Sequence, residues 1–146
     1  MKLELTLPDI VGYLPYGLYC WYGENIKAAL MVGITDYQIP IFEVGRKPIL
    51  RPTSDLRVEI TERGYNDGKP FVPVKRLGEL LGSDYEDCLI LDCRIKYSPS
   101  EVWYSDMCAF LDLLHRLHFD YRGLIDAGLA VSVHDLKQNP YEAANN

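Results

Sequence analysis

The sequence has no long apolar run, which excludes the usual pattern of a membrane-spanning helix. Its longest nearly apolar stretches, Ala28–Ile34 and Leu89–Leu91, are much shorter than the roughly 20 residues that a helix needs to cross a bilayer. The N-terminus also lacks a basic segment followed by an apolar core, so no secretory signal is visible. We therefore expect a cytoplasmic protein.

The sequence also lacks the short motifs that identify common enzymes and metal sites. It contains no nucleophile elbow, phosphate-binding loop, dinucleotide-binding glycine pattern or zinc-protease helix motif. The four cysteines form no CxxC pair, so we expect reduced thiols in the core; they are Cys20, Cys88, Cys93 and Cys108. These absences favour a protein that is not an enzyme, without excluding one.

What the sequence does contain is enough apolar side chains for a folded core. Of its 146 residues, 48% are hydrophobic and 12% aromatic, and the net charge of −6 is modest. This composition excludes a disordered chain and suffices for one domain. Since there is no internal repeat and no interdomain linker, we predict a single domain over residues 1–146, with a frayed tail over residues 136–146.

Short β-prone segments separated by turn residues follow the N-terminus. They are Leu18–Tyr22, Ile26–Thr35 and Ile39–Val44. Because strands joined by short turns pair in antiparallel order, they predict an N-terminal antiparallel β-meander of three to five strands. Capping residues around Thr6 predict a short helix before the meander, and the segment Val74–Leu81 is predicted to form another short helix.

A long C-terminal helix is predicted from Ser98 onward. Ser98, Pro99 and Glu101 are typical of the cap and first turn of a helix. Apolar residues then recur at spacings of three and four and form one stripe: Trp103, Met107, Phe110, Leu114, Leu117 and Tyr121. We expect the stripe to pack across the meander in an α+β domain that also contains short helices. Alternatively the stripe forms a dimer seam, and exposed strand edges also favour a homodimer.

The charge is unevenly distributed along the chain. Residues 44–82 carry 8 basic and 5 acidic side chains, whereas residues 83–146 carry 5 basic and 11 acidic ones. The basic segment offers a site for a small anion or for an acidic patch on a partner; its candidate residues are Arg46, Lys47, Arg51 and Arg57. The acidic net charge argues against nonspecific binding to duplex DNA.

Aromatic residues precede the basic segment, and the candidates among them are Tyr16, Tyr19, Trp21 and Tyr22. Flat rings beside guanidinium groups suit a nucleotide-like anion or a protein interface. Tyrosine and tryptophan are also common in sheet cores, which is the structural alternative. We predict one ligand site that combines these rings with the four basic residues.

His115 and His118 raise the alternative of a metal site, with Cys108 and Asp112 near them in the sequence. On a helix these side chains point in different directions, and no residue that would orient the ligands is evident. We therefore predict no metal and no cofactor, with His118 at the helix interface and His115 at the surface.

Three segments, Ile10–Leu18, Lys47–Leu56 and His118–Ala130, resemble a family of short proteins encoded by phages and prophages of Bacteroides-type gut bacteria. The segments are distributed over residues 10–130, which is most of the chain. The resemblance implies a phage-derived gene expressed in the cytoplasm of a bacterial host. It implies no activity, cofactor or catalytic residue.

Two classes of function follow from these observations. The first is a non-enzymatic phage accessory protein that binds a host protein or an anionic small molecule such as a nucleotide signal, which would suit a role against host defences. The alternative is a small metal-dependent hydrolase or nuclease that uses carboxylates with His115 and His118. Neither class involves a membrane.

Overall fold

The computed structural model describes residues 4–22, 25–31, 46–81, 88–91, 94–97 and 104–143. The α-helices in these ranges are α1 (Leu7–Ile10), α2 (Pro73–Leu81) and α3 (Tyr104–Arg116). The strands are β1 (Leu18–Tyr22), β2 (Asn25–Met31), β3 (Arg46–Leu50), β4 (Cys88–Leu91), β5 (Arg94–Tyr97) and β6 (Val131–Ser132). Short 3-10 helices cover Val11–Tyr16, Thr53–Arg57, Asn66–Gly68 and Val133–Asp135. None of the helices in the described ranges is long and apolar enough to cross a membrane.

The first helix begins where the sequence predicts it. The backbone N–H and the hydroxyl of Thr6 both donate to the Asp9 carboxylate at 2.8 Å. A capping residue bonded to an acidic residue three positions later is a common helix start, and this prediction is confirmed. The 3-10 helix Val11–Tyr16 follows directly and ends at Gly17, whose φ is 77°.

The main sheet has the strand order β2-β1-β3-β6. Strand β1 pairs antiparallel with both β2 and β3, and β3 pairs in parallel with β6. Strands β4 and β5 form a separate antiparallel pair. Alternate residues of β1 contact different clusters, with Leu18 and Cys20 in one buried cluster and Tyr19 and Trp21 packed against another.

The predicted N-terminal meander packed against a long C-terminal helix is wrong. In a meander the second strand lies between the first and the third. Here β1 lies between β2 and β3, and the sheet contains both antiparallel and parallel pairs. The parallel partner, β6, comes from far along the chain, and no local turn signal indicates such a pairing. The predicted strand Ile39–Val44 lies outside the described residues, as does the predicted helix start at Pro99.

Helix α3 is shorter than predicted because it ends in a closed turn at His118. The amides of His118 and Phe119 donate to the carbonyls of His115 and Leu114, at 3.1 and 3.0 Å. This pair of bonds is the Schellman pattern that terminates many helices. His118 has a φ of 62°, a left-handed conformation that glycine usually adopts at this position. The helix therefore spans 13 residues, and the described residues after it form turns, β6 and a 3-10 helix.

The described stripe residues within and just after α3 are buried, and they pack against α2. Phe110, Leu114 and Leu117 share a cluster with Val74 and Leu77 of α2. The sheet has clusters of its own, one of which contains Leu18, Cys20 and Leu50. A helical stripe shows that one face is covered, while the covering element depends on the path of the chain.

Tyr141 holds the C-terminal segment to the core. Its side chain is buried, and its hydroxyl donates to the Ile49 carbonyl at 2.7 Å and accepts from the Tyr19 amide at 3.0 Å. Burial raises the pKa of Tyr141 well above its ordinary value, which keeps the hydroxyl protonated. The chain is therefore anchored at Tyr141, and residues 144–146 lie outside the described residues. Fraying of residues 136–146 stays a prediction.

We expect Leu114→Ala to lower the free energy of unfolding by about 2–5 kcal/mol, because Leu114 is fully buried between α3 and α2 and its truncation leaves a cavity. Denaturant melts measure the loss. Leu111→Ala on the same helix is the matched control, since Leu111 is exposed and its truncation should cost less than about 1 kcal/mol. Equal losses for the two variants would show that the stripe is not the buried face.

Candidate functional site

A groove of about 460 Å³ lies between α2 and α3, and we call it the α2–α3 groove. Its lining combines apolar side chains with two tyrosines, two arginines and two carboxylates. The lining residues are Tyr16, Tyr65, Arg76, Glu79, Leu80, Ala109, Asp112, Leu113 and Arg116. A cavity of this size with a few polar groups in an apolar lining is typical of small-molecule sites. It is the candidate functional site.

Helical spacing brings these side chains to one groove. The lining residues of α3 follow the pattern i, i+3, i+4, i+7, from Ala109 to Arg116. The next faces of the two helices, represented by Leu77 and Leu114, are buried in the core between them. The groove is therefore the edge of the α2–α3 packing interface.

Both arginines of the groove are held at the turn that precedes α2. The Nη2 of Arg116 donates to the Gly64 carbonyl at 2.9 Å, and its guanidinium carbon lies 5.2 Å from the centre of the Tyr65 ring. The Nη2 of Arg76 donates to the Asn66 side-chain oxygen at 3.0 Å. Because both arginines contact residues of one short turn, the positive charges converge at one end of the groove.

Tyr65 is positioned by its own turn and by the core. Its amide donates to the Glu62 carbonyl at 3.1 Å, and its ring packs edge-on against Phe71 with the ring centres 4.9 Å apart. Arg116 covers another part of the ring, which is a cation–π contact. The aromatic wall of the groove is thus fixed before any ligand arrives.

A buried hydrogen-bonded network connects chain segments that line the groove, and we call it the Arg51–Glu62–His118 network. Arg51 donates to Glu62 Oε2 at 2.7 Å, and His118 Nδ1 lies 2.9 Å from Glu62 Oε1. The second ring nitrogen of His118, Nε2, donates to the Gly17 carbonyl at 2.9 Å. All three side chains are at most 4% exposed. Buried charges in such a network are stable only when paired and hydrogen-bonded, as they are here.

This network joins three walls of the groove. Gly17, which accepts from His118, directly follows Tyr16. Glu62 begins the turn that carries Tyr65, and His118 comes two residues after Arg116. The buried network therefore fixes the places at which all three lining side chains leave the backbone.

The predicted basic site does not form one surface. Arg51 is 1% exposed, and besides Glu62 it donates to the carbonyls of Leu117 and Thr61, at 2.9 and 3.0 Å. The expectation that Arg51 is an exposed charge is therefore wrong, because its donors are used inside the core. Arg57 is exposed on the 3-10 helix Thr53–Arg57, and Lys47 is partly buried on β3. Arg46 begins β3, and its side chain lies outside the described ones.

The predicted aromatic residues are likewise divided. Tyr16 lines the α2–α3 groove and is 38% exposed. Tyr19 and Trp21 pack against the cluster of Ile49, Val133 and Tyr141, which gives them a structural role in the sheet. Tyr22 ends β1, and its side chain lies outside the described ones.

The two histidines of the alternative metal site are bonded to protein groups. Both ring nitrogens of His118 have protein partners, Glu62 and Gly17, so His118 has no nitrogen left for a metal in this arrangement. His115 Nε2 lies 2.6 Å from the Tyr121 hydroxyl. Within the part of the chain that the structure describes, no three His, Cys, Asp or Glu side chains come together to hold a metal ion.

Sequence analysis identified Tyr16 and named Asp112 for a different role, but it missed most of the groove. Arg76 and Tyr65 lie within the basic region without any local feature that separates them from its other residues. The available signal was charge spacing, with Arg76 and Glu79 three apart and Asp112 and Arg116 four apart. Such pairs are common on solvated helix faces, so the spacing alone does not predict a site.

We expect Glu62→Gln to lower the free energy of unfolding by about 3–5 kcal/mol, because it leaves Arg51 buried without its counter-charge and removes an acceptor beside His118. Glu59→Gln is the matched control: Glu59 is exposed and three residues away, and its loss should change stability by less than about 0.5 kcal/mol. Urea unfolding of both variants measures the difference. A loss for Glu62→Gln no larger than the control would show that the network does not support the fold.

Burial lowers the pKa of His115, with a smaller opposing effect of Asp112 and a lowering effect of Arg122. Protonation is therefore harder in the folded than in the unfolded chain. The contribution of His115 to stability is complete above the unfolded pKa of about 6.5 and falls as the pH drops through that value. We expect the His115 ring to titrate below about 6.5 by NMR. We also expect His115→Gln to lose less stability than the parent protein between about pH 7 and pH 5. A titration midpoint above the ordinary value would contradict this.

Comparison with protein-family models, with curated proteins and with solved structures gives no match to this chain. The resemblance to phage-encoded proteins therefore stays a prediction. The assignment of the α2–α3 groove rests on the arrangement of its own residues.

Proposed function

We propose that this protein acts by binding a small organic molecule with an acidic group, and that the α2–α3 groove holds it. The observation that carries the proposal is the arrangement of Arg116, which lies against the Tyr65 ring inside a groove of about 460 Å³. A guanidinium has five N–H donors in a rigid fork, and the bond to Gly64 engages one of its nitrogens. Arg116 therefore has donors for an acidic group of a ligand.

The position of Arg116 favours binding because its side chain loses little conformational entropy when a ligand binds. A long side chain normally loses rotamer entropy on forming an ion pair, and this reduces the net affinity. Here the bond to Gly64 and the contact with Tyr65 already hold the guanidinium. Arg76 is held in a similar way by Asn66, so the groove presents two guanidinium groups at one end.

The remaining lining suits the apolar part of such a molecule. Tyr16 and Leu80 are 38% and 39% exposed, so each has apolar surface that a ligand can cover. Burial of their free surface by a ligand adds a favourable hydrophobic contribution of roughly 25 cal/mol for each Å² of apolar area covered. A molecule with a ring or chain beside an acidic group uses both kinds of surface.

This proposal keeps the small-molecule half of the function predicted from sequence and moves its site from the basic segment to the groove. A phage accessory role, with a host molecule as the ligand, is compatible with the proposal and stays part of it. Capture of a host protein stays a prediction as well. A concave groove of this size favours a small ligand over a broad protein surface. The hydrolase alternative loses support because His115 and His118 are bonded to protein groups.

We expect the protein, recovered from a bacterial lysate and then denatured, to release an acidic small molecule that mass spectrometry identifies. Arg116→Gln should retain at least about 10-fold less of it, because one charge-assisted hydrogen bond is lost. Arg57→Gln is the matched control, since Arg57 is exposed and lies outside the groove. It should retain as much as the parent protein.

Folding of the variants is checked by urea unfolding, where Arg116→Gln should lose no more than about 1 kcal/mol through its bond to Gly64. Release of no small molecule by the parent protein, or equal retention by Arg116→Gln, would contradict the proposal.

A further inference from the structure

The charges of the α2–α3 groove are balanced, and this restricts the ligand. Two guanidinium groups, Arg76 and Arg116, face the same cavity as two carboxylates, Glu79 and Asp112. Glu79 lies 3.5 Å from Arg76, so part of the positive charge is already compensated. A ligand with several negative charges would meet the carboxylates as well as the arginines, and like charges at short range are unfavourable.

The opposite charges also occupy different positions along the groove. Arg76 and Arg116 both contact the turn at residues 64–66, so they mark one end. Glu79 is three residues further along α2, and Asp112 is four residues before Arg116 on α3. At 1.5 Å of rise per residue, the Cα of Asp112 is displaced along α3 by about 6 Å from that of Arg116, whereas the Glu79 carboxylate lies beside the Arg76 guanidinium. The groove therefore has a cationic end and, one helical turn away, an anionic position at Asp112.

Apolar surface accompanies both charges. Leu80, Leu113 and Ala109 line the groove beside the two carboxylates. A ligand that matches this lining has an acidic group, a basic group a few ångströms away and an apolar or aromatic portion.

We propose that the ligand of the groove is a zwitterion of the amino-acid class with an apolar or aromatic side chain. Its carboxylate binds Arg116 and Arg76, its ammonium binds Asp112, and its side chain packs against the tyrosines and Leu80. This inference rests on the proposed function and deepens it, because it names the class of molecule. It also replaces the nucleotide-like anion of the sequence prediction, since a nucleotide carries no ammonium group for Asp112.

Three probes with one ring and different charges test the inference. Tryptophan is the zwitterion, indole-3-propionate lacks the ammonium, and tryptamine lacks the carboxylate. We expect tryptophan to bind at least about 10-fold more tightly than either analogue, since each analogue loses the charged contact with Asp112 or with Arg116. Amide chemical shifts of Tyr65, Leu80 and Arg116, followed by NMR titration, report binding in the groove.

Variants separate the two charged contacts. Asp112→Asn should weaken tryptophan binding to about the level of indole-3-propionate and leave the affinity for indole-3-propionate unchanged. Arg116→Gln should weaken the binding of both. Asp135→Asn is the control, since Asp135 is exposed on the 3-10 helix Val133–Asp135 and does not line the groove. It should change neither affinity.

The failure of this inference is distinguishable from the failure of the proposed function. If indole-3-propionate binds as tightly as tryptophan and shifts the same amides, the zwitterion assignment is wrong and acidic-ligand binding in the groove is supported. If none of the three probes shifts the groove amides, the zwitterion assignment is also wrong, and the retained-ligand experiment decides about the proposed function. If Asp112→Asn leaves tryptophan binding unchanged, the ammonium contact is wrong.

Discussion

Glu62 lies in the core with a positively charged arginine on one oxygen and a histidine ring on the other. A carboxylate placed there without these partners would cost several kcal/mol, and the same holds for Arg51. The network also allows an uncommon feature, a histidine in the left-handed conformation at the end of α3. Glycine would fit that backbone with less strain, but glycine has no ring to bond Glu62 and Gly17. His118 therefore holds together the end of α3, the residue before β1 and the turn after Glu62.

Short-range signals in the sequence predicted several elements correctly. Thr6 and Asp9 form the cap of α1, the segment Leu18–Tyr22 is a strand, and the glycine-bounded apolar segment at Val74–Leu81 falls within α2. In each case the residues that determine the element are within a few positions of one another. The stripe on α3 is similar, since its spacing predicted a buried face.

The remaining errors have a common physical cause, which is that the deciding contacts join distant residues. The end of α3 depends on His118 bonding to Glu62 and Gly17, 56 and 101 residues away in sequence. No glycine marks the end of the helix, so local rules extended it to Tyr121. Arg51 was interpreted as a surface charge because arginine usually is one, and only its partners Glu62 and Leu117 show that it is buried. The α2–α3 groove was missed for the same reason.

The buried Arg51–Glu62–His118 network connects the segments that carry the groove's side chains. Tyr16, Tyr65 and Arg116 belong to three separate segments, and a ligand that contacts all three gains affinity only if they are already in place. The Arg51–Glu62–His118 network holds the three segments in these positions. His118 also stacks on Tyr141, with ring centres 3.6 Å apart, and Tyr141 bonds the Tyr19 amide. Tyr141 thus helps to bury the network, and ion pairs that are shielded from water are stronger. The segment that contains Tyr141 is therefore part of the support of the candidate site.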